Sequence, residues 1–199
     1  MNEIRLNTPL SHEDVTRLKV GDRVLVSGRI VTARDRAHRW LVEEATPAQL
    51  PFDLAGGIIY HCGPVVRSTD AGGFEVVAAG PTTSARMNPY TPALIGKFAV
   101  RAIIGKGGMD DAVLDAMTRF GAVFLSAVGG AAVTLAGRVV GVEGSFKTDE
   151  FGSPEGMWVL RVEDFPAIVT MDAHGRSLHR EVEAASRARL ERLLERESR

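Results

Sequence analysis

Two short apolar runs, Val100 to Ile104 and Ala122 to Val128, constrain this chain more than any other feature. Each is too short for an ordinary helix, is apolar at successive positions apart from Arg101 and Ser126, and passes into a glycine-bearing loop and then a helical pattern. Runs of this kind are strands buried on both faces, the situation of a parallel sheet covered by helices. Strand, loop and helix therefore recur twice between Val100 and Arg138, and such units need parallel strands. Arg23 to Thr32 behaves differently. Val24, Val26, Gly28 and Ile30 fall on one face and Arg23, Leu25, Ser27 and Arg29 on the other, as in a strand with one buried face. The mixture predicts an α/β fold with a mixed, partly parallel sheet, its early strands pairing antiparallel.

Local signals fill in the remaining elements. Ser11 with Asp14 three residues on marks a helix start, with the helix ending near Gly21. Asp35 is placed to cap a helix from about Arg36 to Glu44, and Thr91 to cap one with Pro92 at its first position. Further helices are expected over Asp110 to Phe120 with Gly121 as its stop, over Ala131 to Arg138, and over Leu178 to about Glu197. Strands are expected at Ile58–Cys62, Phe74–Ala79, Met157–Val162 and Ala167–Asp172, with a loop at 47–53, a turn at Asp70-Ala71-Gly72-Gly73 and an exposed loop from Gly141 to Pro154. The charged last helix carries Glu181, Glu183, Glu191, Glu195 and Glu197 as a solvated face, with Leu190, Leu193 and Leu194 as a possible docking stripe. One domain over residues 1–199 is expected.

Composition narrows the function. The formal net charge of the 199 residues is -1, so no basic field recruits nucleic acid or an anionic membrane. No apolar run reaches the roughly eighteen residues of a membrane span. The start, MNEIRLNTPL, lacks a charged-then-apolar leader, and the single cysteine, Cys62, fits a reducing compartment such as the cytoplasm. One thiol cannot ligate an iron–sulfur cluster, which takes several.

The chemistry gathers between Gly80 and Met109. Gly80-Pro81-Thr82-Thr83-Ser84-Ala85-Arg86 offers three hydroxyls and a guanidinium, and Gly105-Lys106-Gly107-Gly108-Met109 offers an ammonium among glycines at the end of a strand. In α/β sheets ligands bind at that edge. Any helix through Thr82 and Arg86 puts both on one face. The glycines admit positive φ and close backbone approach. The spacing of a nucleotide phosphate loop is absent. Gly129-Gly130 serves either as an anion-facing turn or as a tight strand-to-helix connection. A small anion is the expected ligand.

The order of motifs is similar to that of one family. GPTTSARM followed by a strand and IIGKGGM resembles the β subunit of the iron–sulfur hydro-lyases, class I fumarase and L-tartrate dehydratase. Val20-Gly21-Asp22-Arg23-Val24, Ala33-Arg34-Asp35-Arg36-Ala37-His38, Ala127-Val128-Gly129-Gly130-Ala131-Ala132 and the segment from Met157-Trp158 to Val162-Glu163-Asp164-Phe165-Pro166 resemble further motifs of that family in the same order. The resemblance implies a layered swivelling β/β/α domain. It implies that Arg34, Arg86 and Lys106 hold the carboxylates of a C4 dicarboxylate. It points to Thr82 and Lys106 as catalytic residues, with Thr82 also contacting the substrate. It implies a [4Fe-4S] cluster on a cysteine-rich α subunit, none on this chain, and a hetero-oligomer such as α2β2. Fumarate/malate is the first expected substrate and tartrate the second. A non-catalytic small-anion-binding module is the reading from another class.

Each site residue also has a plain structural reading. Arg34 pairs with Asp35 on the surface; Thr82 and Thr83 cap the helix that carries Arg86; His38 packs or hydrogen-bonds locally; Cys62 is a small core hydrophobe. A neutral threonine is a poor base, because general bases work best with a pKa near the operating pH.

Overall fold

The computed structural model describes residues 3–70 and 72–197; Ala71 of the expected turn and Met1-Asn2 lie outside the described residues, and so do the side chains of Arg196 and Glu197. Nine strands and seven α-helices are present among the described residues. In chain order they are β1 (Ile4–Asn7), α1 (His12–Thr16), β2 (Arg23–Thr32), α2 (Asp35–Glu43), β3 (Ile58–Tyr60), β4 (Val65–Ser68) and β5 (Phe74–Ala78). They continue with α3 (Thr91–Phe98), β6 (Ala102–Gly105), α4 (Asp111–Phe120), β7 (Val123–Ser126), α5 (Ala132–Ala136), β8 (Val139–Phe146), α6 (Thr148–Phe151), β9 (Met157–Met171) and α7 (Leu178–Glu197). Short 3-10 turns lie at Pro47–Gln49 and Ser84–Met87.

The main sheet runs β1-β2-β3-β6-β7-β9-β8, with β9 also paired to β2. β1, β2, β3, β6 and β7 are parallel to one another in that order. Among the early strands, β1, β2 and β3 are therefore parallel to one another, and only β4 and β5 pair antiparallel. The antiparallel partner of β2 is β9, which arrives from the far end of the chain. β9 pairs with β2 on one side and with β7 and β8 on the other, so the sheet closes on itself. β4 and β5 form a separate antiparallel pair.

Alternation sorts the central strands into two cores. Ile58, Tyr60, Ala102, Ile104, Val123 and Leu125 point into one core, shared with Val24, Val26, Ile30, Leu160 and Phe165. Ile59, Ile103 and Phe124 point into the other, against Ala37 and Leu41 of α2, Leu94 and Phe98 of α3, and Val113 and Met117 of α4. Both faces of β3, β6 and β7 are thus buried, as their continuous apolar sequences require.

Several boundaries differ from the sequence reading. The expected break between Val162 and Ala167 is bridged by one fifteen-residue strand, β9. Its register against β2 shifts there, Asp164 takes a φ of 47°, and the Asp164 N–H donates to Ser27 Oγ at 3.0 Å, so a bulge replaces the gap. The expected exposed loop from Gly141 to Pro154 contains most of β8 and all of α6. Gly141 and Gly144 sit where the β8 register shifts against β9, so they mark bulges rather than a loop. β1 and β4 fall where no strand was expected. Thr91 is not a cap: Tyr90 precedes the helix, and Thr91 Oγ1 donates to the Met87 carbonyl. The Ser11–Asp14 capping box and the Gly121 stop, with φ of 68°, form as the residues predict.

α7 begins at the site edge and leaves the body of the molecule. His179 Nε2 lies 3.0 Å from Thr170 Oγ1, whereas Leu190, Leu193 and Leu194 are about half exposed. No helix among the described residues is long and apolar enough to cross a membrane.

Candidate active site

β2, β3, β6 and β7 are mutually parallel, so their carboxyl ends share one edge. Arg34 follows β2, His61 follows β3, Lys106 follows β6, and Gly129-Gly130 follow β7. The loop carrying Thr82 and Arg86 reaches the same edge after β5. There the Thr82 N–H donates to the His61 carbonyl at 2.7 Å, the Ser84 N–H donates to the Lys106 carbonyl at 3.0 Å, and Thr83 bridges Lys106 in parallel. Residues distant in sequence are joined by backbone hydrogen bonds at the sheet edge where α/β folds bind ligands.

The charges on this edge are unevenly compensated. Arg34 Nη2 lies 3.2 Å from Glu155 Oε1, and Arg86 Nη2 lies 2.9 Å from Asp35 Oδ2. Asp35 therefore pairs with Arg86 and not with Arg34. Nor does Asp35 cap α2: Arg34 occupies the cap position without a side-chain cap bond, and Asp35 lies in the first turn, where a carboxylate suits the helix dipole. The Lys106 ammonium has no hydrogen-bond or ion-pair partner among the described residues. Its chain runs past Gly129, where an added Cβ would sit 3.4 Å from Lys106 Cδ and 4.0 Å from Nζ. Arg34 needs similar room: a Cβ on Gly63 would lie 2.8 Å from Arg34 Nη1 and 2.7 Å from the Pro154 carbonyl oxygen. Arg34 Nε is buried with no partner among the described residues, and an unsatisfied buried donor is costly.

The two threonines separate. Thr82 is half-buried, and its Oγ1 accepts from Arg86 Nη2 at 3.0 Å. Thr83 is exposed and makes no side-chain cap bond to the 3-10 turn that follows it. The cap role expected of these threonines is absent because Ser84–Met87 is one short turn, not an α-helix, and the first amides of the segment are taken by the His61 and Lys106 carbonyls. Gly107 and Gly108 do adopt positive φ, of 80° and 67°. Gly105 does not; it lies inside β6, where a Cβ would come within 1.9 Å of Ser84 Oγ. Gly130, at φ 83°, makes the turn from β7 into α5.

Over residues 1–182 the sequence matches the family described as Fumarase C-terminus. The chain belongs to the fumarase C-terminus family. It is 47% identical over 192 residues to a protein from Geobacillus stearothermophilus named putative fumarate hydratase class I, covering 96% of this chain and 36% of that protein. It is 45% identical over 175 residues to a putative L(+)-tartrate dehydratase subunit beta from Methanocaldococcus jannaschii, covering 87% of this chain and 89% of the relative. It is 40% identical over 174 residues to the L(+)-tartrate dehydratase subunit beta of Escherichia coli K12, covering 87% and 85%. The chain thus spans about a third of the fumarate hydratase and most of each β subunit.

As a fumarase C-terminus protein, the chain brings Arg34, Thr82, Arg86 and Lys106 to one edge. It does not offer a cluster site. Cys62, its only cysteine, is fully buried beyond β3, and burial pushes its thiol up to about 12. Cluster ligands are several deprotonated thiolates, so the residues of this chain do not fit the group. Sequence reading missed Glu155, the partner of Arg34, because nothing in Pro154-Glu155-Gly156 marks it. It also missed the contact between His38 and His61, whose rings lie 4.8 Å apart, since no spacing rule pairs a residue of α2 with one just past β3.

Proposed function

We propose that this chain is the substrate-gripping β subunit of a two-subunit hydro-lyase that reversibly adds water to a C4 dicarboxylate, with fumarate/malate as the first substrate and L-tartrate as the second. The observation that carries the reading is the unpaired Lys106 ammonium on the edge that also holds Arg34 and Arg86. Arginine grips a carboxylate bidentately, and an uncompensated ammonium attracts a second carboxylate. Asp35 and Glu155 already neutralise the two arginines, so this chain alone presents about one net positive charge to a dianion. A partner that adds further donors completes the clamp. In this reading the partner is a cysteine-rich α subunit that carries the [4Fe-4S] cluster, in an assembly such as α2β2 in the cytoplasm.

Thr82 is the hydroxyl on this chain best placed to meet the reacting carbon. Accepting a hydrogen bond from a guanidinium makes its own O–H more acidic, so it gives up a proton more readily than a free threonine. Fumarate comes first because the Gly129-Gly130-Ala131-Ala132 form of the loop looks more like the fumarase side. The test is anaerobic co-expression with a candidate α subunit and assay on fumarate, malate and tartrate. Hydration or dehydration of one of them, absent from either chain alone, is expected. A pure complex inactive on all three overturns the reading and leaves a non-catalytic anion-binding module.

A further inference from the structure

Three buried polar side chains behind the cationic loops are still without a role: His38, His61 and Ser84. They are linked in series. Ser84 Oγ lies 2.9 Å from His61 Nδ1, His61 Nε2 lies 3.2 Å from His38 Nε2, and His38 Nδ1 lies 2.9 Å from the Arg34 carbonyl oxygen. A carbonyl oxygen only accepts, so the proton of His38 is on Nδ1 and its Nε2 is a lone pair. That lone pair takes the proton of His61 Nε2, which leaves His61 Nδ1 to accept from the Ser84 hydroxyl. One carbonyl therefore sets the direction of all three bonds, and both imidazoles are neutral in that order. Burial acts the same way, holding both rings below the ordinary histidine range.

Both ends of the series lie on loops of the clamp. At one end is the backbone of Arg34. At the other, Ser84 stands between Thr82 and Arg86, and its N–H is bound to the Lys106 carbonyl. The His61 carbonyl receives the Thr82 N–H. There is no slack around the Ser84–His61 link: a Cβ on Gly105 would fall 1.9 Å from Ser84 Oγ and 3.2 Å from His61 Nδ1. Resting on the reading of this edge as a dicarboxylate clamp, we infer that Ser84, His61 and His38 form a tether that fixes the Arg34 loop against the Thr82–Arg86 loop, and that all three are positioning residues for the bound diacid. Neutral links suit this place. An anionic tether would compete with the substrate for Arg34 and Arg86, whereas imidazole and hydroxyl hold the loops without altering the field of the site. Positioning of this kind matters because misplacement of a gripping group by about 1 Å costs rate even when every contact group is present.

The test combines kinetics with amide hydrogen exchange. Ser84→Ala, His38→Ala and the double variant are assayed as complexes with the α subunit, on the diacid the wild type accepts. Each single change is expected to raise KM and lower kcat/KM by about tenfold, as for one lost hydrogen bond. The double variant is expected to be no worse than the poorer single one, because a series cut twice is cut once. His38→Gln, which keeps an acceptor for His61 Nε2–H, recovers most of the loss. In the full chain alone, Ser84→Ala and His38→Gln fold with the least disturbance. Ser84→Ala speeds exchange at the Thr82 N–H while β2 and β9 amides stay protected, and His38→Gln does not. Additive losses, or a lower melting temperature with wild-type KM, reduce the three residues to core packing. Should the wild-type complex turn over no C4 diacid, the hydro-lyase reading fails, and unchanged exchange at Thr82 in Ser84→Ala overturns the tether independently.

Discussion

The Arg86 guanidinium donates to Thr82 Oγ1 across 3.0 Å, and the same nitrogen donates to Asp35 at 2.9 Å. One arginine thus fixes the hydroxyl and is itself fixed by a carboxylate at the start of α2. The next hydroxyl, Thr83, shares none of this. Thr82→Val keeps the shape and removes the acceptor. In the assembled enzyme it is expected to lower kcat/KM by about 10²-fold with little change in melting temperature. Thr83→Val, at an exposed position without a cap bond, is expected to change stability by less than about 0.5 kcal/mol and to keep wild-type kinetics. A kinetically crippled Thr83→Val would show that the loop presents the other hydroxyl.

Lys106 and Arg86 should fail in different ways. Lys106 has no counter-ion among the described residues, so Lys106→Ala removes a charge that stabilises nothing in the free protein. It is expected to lower kcat/KM by at least ~10²-fold without lowering the melting temperature. Arg86→Ala gives a similar kinetic loss but leaves Asp35 and Thr82 without their shared partner. Because that pair is about half exposed, its share of stability stays within about 1 kcal/mol. Steady-state assays and thermal melts of both complexes separate the cases; near-wild-type kinetics for either variant removes that residue from the site.

Two of the strands that build the site edge were legible as parallel because β6 and β7 are apolar on both faces, which a covered parallel sheet accommodates. The Gly-Lys-Gly-Gly turn was legible as the end of such a strand. What could not be read was anything set by distant pairing. β8 looked like a loop because its bulge glycines resemble turn residues, and β9 looked like two strands because Glu163-Asp164 breaks the apolar pattern that β2 then bridges. The ion pairs were likewise invisible: Arg34 meets Glu155 and Arg86 meets Asp35 through the topology, over separations no local rule spans. Thr83 was read as a cap by a rule that assumes an α-helix, and the chain forms a single 3-10 turn there.

Cys62 is a core residue, and its chemistry follows from that. With burial pushing the thiol up to about 12, almost no thiolate exists at neutral pH. Native chain is expected to resist alkylation by iodoacetamide that unfolded chain undergoes readily. Cys62→Ala in the assembled enzyme is expected to keep turnover and iron content, at a cost of about 1 kcal/mol in stability for the small void. Loss of iron with folding intact would make Cys62 a ligand after all.

His38 and His61 give the chain an acid-sensitive core. Folded His38 titrates at about 4, because burial outweighs the Arg34 carbonyl and the nearby Asp35 charge that favour its proton; an unfolded histidine titrates near 6.5. His61 is held below its ordinary range as well, by burial first and then by repulsion from His38 when that ring is protonated and from the Arg86 guanidinium. Above about pH 6.5 neither the folded nor the unfolded chain carries these protons, so their contribution is flat. Between about 6.5 and 4 the unfolded chain binds a proton that folded His38 refuses, so stability falls as the pH falls, and below 4 His38 adds no further loss. Across that window His38 alone accounts for about 3 kcal/mol, and His61 adds to it with the same sign. Urea unfolding of the chain from about pH 7.5 down to about pH 5, above the range where most carboxylates titrate, isolates the imidazoles. The wild-type midpoint is expected to fall steadily below about pH 6.5, and His38→Gln to fall less steeply. A wild-type midpoint that stays level over that range would mean the two rings take up protons while folded, and the neutral order of the Ser84–His61–His38 series would be wrong.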